Sequence, residues 1–149
     1  MPEQTRQFVD TNILVYAFDV TAGQKRERSA ALLRQLWVDH AGCVSVQVLL
    51  EFYVAASRRL RMGDTDIRRC VEDYGAWFVH SPSFQDVVEA VDLHQRREIS
   101  VWDAMIIQSA RRMGCLTVWS EDLQHGGTYD GVQVRNPFVA PTAQSSAHS

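Results

Sequence analysis

The sequence predicts an α/β protein, a three-layer α/β/α sandwich around a parallel sheet. Short apolar segments of strand character alternate along the chain with longer stretches whose apolar residues recur at helical spacing. That alternation implies parallel βαβ units with right-handed crossovers. The length of 149 residues, with 46% hydrophobic and 22% charged residues, suits one folded domain with a single core and no need of disulfide staples.

Gln7-Phe8-Val9 reads as the opening strand, and Ile13, Leu14, Ala17 and Phe18 then fall at helical spacing. Gln24 to Asp39 forms an amphipathic helix with Ala30, Leu33, Leu36 and Trp37 inward, and Ala41-Gly42 is expected to end it. Cys43-Val44-Ser45-Val46 is the second strand. Gln47 to Arg61 returns to helical spacing through Leu49, Phe52, Tyr53, Ala56 and Leu60, with Gly63-Asp64 closing it and Thr65 capping a further helix to about Trp77. Phe78-Val79-His80 is the third strand, Ser81-Pro82-Ser83 a turn and cap, and Phe84 to Arg97 a helix. Ile99-Ser100 opens a helix from Trp102 to Met113, which Gly114 terminates. Leu116-Thr117-Val118-Trp119 is the fourth strand and Val132-Gln133-Val134 the fifth, after a turn-rich stretch from His125 to Gly131. Val139 to Ser149, rich in Ser, Ala and Thr, has too little apolar surface to pack and is expected to be a disordered tail, leaving residues 1–138 as the domain.

The N-terminus lacks the apolar run of a signal peptide, and no stretch approaches the roughly 18 apolar residues of a membrane span, so a cytoplasmic protein without a membrane partner is expected. Cys43, Cys70 and Cys115 are odd in number and show no C-x-x-C pair, which reads as buried, reduced thiols. The net charge of −3 does not mark a polyanion binder as a whole. Basic residues nevertheless cluster at Lys25-Arg26-Glu27-Arg28, Arg58-Arg59-Leu60-Arg61, Arg68-Arg69, Arg96-Arg97 and Arg111-Arg112.

Four acidic residues stand at positions that bear on chemistry. Asp10 sits where a strand becomes a helix, at the carboxyl edge where open parallel sheets place ligands, though an Asp there also serves as an N-cap. Glu51 has Val48, Val54 and Ala55 as same-face neighbours rather than a cation, so it either reaches solvent or points into a cleft with a partner charge or metal. Asp103 fits the capping pattern Ser100-x-x-Asp103, yet Ile106, Ile107 and Ala110 place it on an apolar stripe. Asp122 follows the fourth strand, where turn chemistry alone also explains an Asp, and Ser120 adds a hydroxyl nearby. Carboxylates gathered at the strand ends of one sheet repel one another, and hard divalent cations with oxygen ligands relieve that repulsion. Mg²⁺ or Mn²⁺ is the natural occupant, and such a site suits phosphodiester hydrolysis by metal-activated water. Zinc is disfavoured, because His40, His80, His94, His125 and His148 are scattered without ligand spacing.

The stretches Phe8-Val9-Asp10-Thr11-Asn12-Ile13-Leu14-Val15-Tyr16, Ser45-Val46-Gln47-Val48-Leu49-Leu50-Glu51-Phe52-Tyr53, Ile99-Ser100-Val101-Trp102-Asp103-Ala104-Met105-Ile106 and Val118-Trp119-Ser120-Glu121-Asp122-Leu123-Gln124-His125-Gly126 together resemble PIN-domain ribonucleases, in particular the toxins of VapBC toxin–antitoxin pairs. The match extends from about Phe8 to Phe138. The resemblance implies a five-stranded parallel sheet of order 3-2-1-4-5, with Asp10, Glu51, Asp103 and Asp122 as metal-binding catalytic carboxylates and Ser120 and Asn12 assisting. Glu121 is left out, because neighbours on an extended segment point opposite ways. The resemblance further implies an RNA substrate, a homodimer, and an antitoxin whose segment covers the cleft and places an arginine among the carboxylates. Trp37, Phe52 and Tyr53 are candidates for lining that groove, or else core.

The leading reading is therefore a Mg²⁺-dependent endoribonuclease toxin. A catalytically silent PIN-like module that binds RNA or protein is the alternative. An aspartyl-nucleophile phosphatase is disfavoured, because the second Asp such enzymes carry two residues on is Asn12 here.

Overall fold

The computed structural model describes residues 5–139, so most of the expected tail, residues 140–149, lies outside the described residues. The elements in order are β1 (Gln7–Val9), α1 (Thr11–Tyr16), α2 (Gln24–Val38), β2 (Gly42–Ser45), α3 (Val46–Arg59), α4 (Asp64–Tyr74), β3 (Phe78–His80), α5 (Phe84–Arg96), α6 (Val101–Arg112), β4 (Thr117–Trp119), β5 (Thr128–Tyr129) and β6 (Val132–Arg135). They form one sheet of order β3-β2-β1-β4-β6-β5. Five strands run parallel, in the order expected for five, with Phe8 beside Cys43 on one side and Val118 on the other. Among the described residues no helix is long and apolar enough to cross a membrane.

The sixth strand corrects the expected count. β5 pairs antiparallel with β6 through Thr128 and Gln133 and through Tyr129 and Val132. The two residues between them, Asp130 (φ 48°) and Gly131 (φ 87°), both take positive φ, the requirement of a two-residue primed hairpin turn. The turn-rich stretch is thus a hairpin, and it protects the outer edge of β6.

Phe8 and Val9 in β1, Cys43 and Val44 in β2, and Val118 and Val134 in β4 and β6 are fully buried, so the core runs along the sheet between its helices. α1 packs on α2 and α3, α3 on α4, and α5 on α6, which also crosses β2, β4 and β6. Phe52, Tyr74, Trp77 and Trp37 stack edge-on or tilted under the α2–α4 side, with ring centroids 5.1–6.1 Å apart.

Three local expectations are corrected. α2 stops because His40 takes a left-handed conformation (φ 52°), not at Gly42. Gly42 instead opens β2 beneath the Trp77 indole, where a Cβ would lie 2.4–2.5 Å from Cδ2, Cε2 and Cε3. Gly42→Ala is expected to cost about 1–3 kcal/mol, because the indole must leave its packed position; urea unfolding followed by tryptophan fluorescence checks this. α4 begins at Asp64 with Gly63 as its N-cap, so Thr65 lies inside the helix, and α3 already ends before Leu60. Cys43 and Cys115 are buried free thiols as expected, while Cys70 is only partly buried.

Candidate functional site

Asp10 leaves the sheet at the end of β1 in an extended conformation (φ −78°, ψ 160°) and caps α1. Its Oδ1 accepts the Thr11 N–H at 2.7 Å, while its Oδ2 accepts the Ser120 hydroxyl at 2.9 Å. The Asp10 N–H donates to the Trp119 carbonyl at 2.9 Å, so main-chain and side-chain bonds join the ends of β1 and β4. One oxygen is a cap and the other belongs to a cleft; the two readings of this residue hold together.

Ser120 is fully buried, and its Oγ accepts the N–H groups of Asp122 (3.1 Å) and Leu123 (3.4 Å). Asn12, in the first turn of α1, donates from Nδ2 to Asp122 Oδ2 at 2.9 Å. Thr11 donates its hydroxyl to Glu51 Oε2 at 3.2 Å, and Gln47 Nε2 donates to Glu51 Oε1 at 2.7 Å. Hydrogen bonds thus draw Asp10, Asn12, Ser120 and Asp122 together, and Thr11 ties α1 to Glu51. Thr11 is absent from the sequence-derived candidates; a hydroxyl beside Asp10, on the first turn of the same helix, is the signal that marks it.

Asp103 approaches from the start of α6. Its N–H donates to Ser100 Oγ at 3.0 Å. In α5 the equivalent acid, Asp86, closes a full capping box by accepting the Ser83 N–H at 2.8 Å, whereas α6 has only the serine half of that arrangement. The Asp103 carboxylate, though stabilised by the Ser100 side chain, does not close back on the N-cap N–H as Asp86 does.

Burial pushes the Asp10 carboxyl up from 3.8 to about 6, against the Thr11 and Ser120 hydrogen bonds that favour its charged form. The charges of Asp122 and Asp103 add to the rise. Burial also raises Asp103, with Glu51 contributing and Ser100 opposing, and raises Asp122, with Asp103, Glu121 and Glu51 contributing. Asp10, Asp103 and Asp122 thus each lie in the field of neighbouring carboxylates, which disfavours their ionisation.

All donors around this edge are oxygens, a set suited to a hard divalent cation. Among the described residues no three His, Cys, Asp or Glu side chains converge into a ready metal cage. The arrangement suits an ion held by one or two carboxylates at a time and otherwise hydrated, the usual habit of Mg²⁺.

Away from this edge, Phe52 is core, while Trp37 and Tyr53 are about 40% exposed. Trp37 borders a groove of about 390 Å³ with Phe18, Leu33 and Tyr74, and Tyr53 one of about 520 Å³ with Leu49, Leu50 and Val71.

The sequence matches the family model of the PIN domain over residues 8–127. Among curated proteins, none matches it. A toxin–antitoxin complex from Klebsiella pneumoniae is similar in structure, with a TM-score of 0.64 and 20% identity over 89% of this chain and 98% of that one. The sarcin-ricin loop cleaving toxin VapC20 of Mycobacterium tuberculosis gives a TM-score of 0.60 and 19% identity, over 78% of this chain and 91% of that one. VapBC2 from Rickettsia felis, bound to a promoter DNA fragment, gives a TM-score of 0.65 and 16% identity, over 89% and 98%. At such identities the structural likeness speaks for the fold, while the family match spans most of the chain: this protein belongs to the PIN domain family.

Proposed function

We propose that the protein is a divalent-metal-dependent endoribonuclease and the toxin of a type II toxin–antitoxin pair. The observation that carries this reading is the group of mutually repelling carboxylates at the carboxyl edge of the sheet, with Asp10 held between the ends of β1 and β4. Asp10, Glu51, Asp103 and Asp122 would supply the carboxylates for Mg²⁺ or Mn²⁺, one or two binding the ion directly and the others acting through its waters. When bound, the ion supplies an activated water and screens charge on the phosphate and the leaving oxygen. Ser120 fixes one oxygen of Asp10, Asn12 one oxygen of Asp122, and Thr11 one oxygen of Glu51, so three of the four ligands are oriented before substrate arrives.

RNA as substrate follows from the VapC20 likeness and the family match, taken together with this acidic edge. The antitoxin partner is supported by two apolar grooves, which suit the apolar face of a partner helix. A homodimer is supported by the exposed apolar residues of α5, Phe84, Val87, Val88 and Val91, the first 82% exposed. Function in the cytoplasm follows from the same reading.

Metal-stripped protein incubated with total bacterial RNA tests the reading, with Mg²⁺ or Mn²⁺ restored and new 5′ ends mapped. Discrete ends that appear only with metal, vanish with EDTA and are missing with Asp103→Asn are expected. No cleavage by folded, antitoxin-free protein under either metal would favour the silent binding module instead.

A further inference from the structure

We propose that Glu121 is a positioning residue that fixes Asp122 by clamping the loop after β4 onto α1 and α2. This inference rests on the reading of Asp122 as a metal ligand. Tyr16 donates its hydroxyl to Glu121 Oε1 at 2.7 Å, and the Lys25 ammonium donates to Oε2 at 2.5 Å. Both partners lie far off in sequence, 105 and 96 residues away, so the contact ties the loop after β4 to two helices near the start of the chain.

The anchor is itself braced. Lys25 Nζ lies 5.1 Å from the Tyr16 ring centroid and 5.4 Å from that of Phe138. The Tyr16 and Phe138 rings meet edge to face at 5.4 Å, and the Arg59 guanidinium lies 6.0 Å over Tyr16. An isolated surface ion pair contributes little. Here the carboxylate has two partners, Lys25 over the Tyr16 and Phe138 rings and Tyr16 packed edge to face with Phe138, and the Glu121 side chain is only 24% exposed.

Residues 120–127 form neither helix nor strand. Ser120 Oγ holds the inner side of this loop through the N–H groups of Asp122 and Leu123. Glu121 holds the outer side. Asp122 is exposed, and its carboxylate takes one hydrogen bond among the described residues, from Asn12. Its backbone position depends on its two neighbours. A metal ligand held about 1 Å too loosely is a common cause of a failed site, and loss of an outer supporting contact costs roughly 10–100-fold in metal affinity.

Glu121→Ala, Glu121→Gln and Tyr16→Phe test this in the full chain. Without metal, hydrogen exchange at amides 121–124 is expected to quicken about tenfold in Glu121→Ala. Mn²⁺ affinity, measured by calorimetry, is expected to fall at least about tenfold, and kcat to fall with KM for RNA unchanged. Tyr16→Phe shows a smaller loss. Glu121→Gln falls between, because its amide oxygen still accepts from Tyr16. Unchanged exchange and Mn²⁺ affinity in Glu121→Ala would overturn the proposal, as would a rise in KM alone, which would make Lys25 and Tyr16 an RNA contact. Wild-type protein that binds no Mn²⁺ would overturn the metal reading and this inference together; wild-type binding with an indifferent variant overturns only the clamp.

Discussion

Asp10→Asn is expected to cut RNA cleavage severely and, in the metal-free protein, to raise stability at the same time. Burial holds the Asp10 carboxyl at about 6 in the folded state against 3.8 unperturbed. A group whose folded pKa is raised binds its proton more tightly when native, so stability falls as pH rises from about 4 to about 6 and stays lower above that. The displacement of roughly two units corresponds to about 3 kcal/mol. An asparagine keeps the shape, accepts from the Thr11 N–H and carries no charge, but it turns its amide N–H toward a Ser120 Oγ that already accepts two loop N–H groups, which offsets part of the gain. The variant should therefore gain about 1–3 kcal/mol at pH 8 and almost nothing below pH 4, as measured by urea unfolding in EDTA. Cleavage should fall on the order of a thousandfold, since a lost metal ligand removes several kcal/mol of transition-state stabilisation. A stability gain of this kind at a charged cleft residue is the usual mark of function held against stability.

Ser120→Ala is expected to act with the opposite sign on stability. Ser120 is fully buried, and its hydroxyl serves Asp10 Oδ2 and the N–H groups of Asp122 and Leu123. Removing it takes the partner from a buried carboxylate oxygen and from two loop N–H groups, at about 1–3 kcal/mol each for those fully removed from water. A loss of about 2–3 kcal/mol at pH 8 is expected. It should shrink as pH falls through 6 and Asp10 takes up its proton. Cleavage should fall with it, since both Asp10 and the Asp122 loop lose their common support. In the double variant with Asp10→Asn the two changes should not add, because they share one hydrogen bond. Unfolding of the four proteins at pH 4 and pH 8 checks both signs.

Much of this architecture is legible in the chain. The switch from Phe8-Val9 to the helical spacing of Ile13, Leu14 and Ala17 places Asp10 at a strand-to-helix junction, because a buried strand and an amphipathic helix leave different periods. Ser83 as a cap and the pattern Ser100-x-x-Asp103 likewise mark two helix starts correctly. What escapes is set by distance along the chain. Gly42 reads as a helix stop until Trp77, 35 positions on, is seen to lie over it. Thr128–Tyr129 is too short a strand to show a period, although Asp130-Gly131 between Tyr129 and Val132 is a hairpin signal. For the site, residue types alone leave each acid with an ordinary structural role open. Only the pairing of β1 with β4 brings Ser120 to Asp10, and that neighbour relation entered through resemblance rather than pattern. The Thr11–Glu51 bond and the partners of Glu121 have no local signature, because they join segments about 40 and 100 residues apart.

The most direct test of the central claim is a calorimetric titration of Mn²⁺ into metal-stripped protein at pH 8, beside Asp10→Asn and Asp103→Asn, with folding of all three verified. Saturable binding by the wild type that weakens at least about fiftyfold in both variants is the predicted result. Equal binding in the three proteins, or none by the folded wild type, would contradict a carboxylate metal centre at this edge of the sheet.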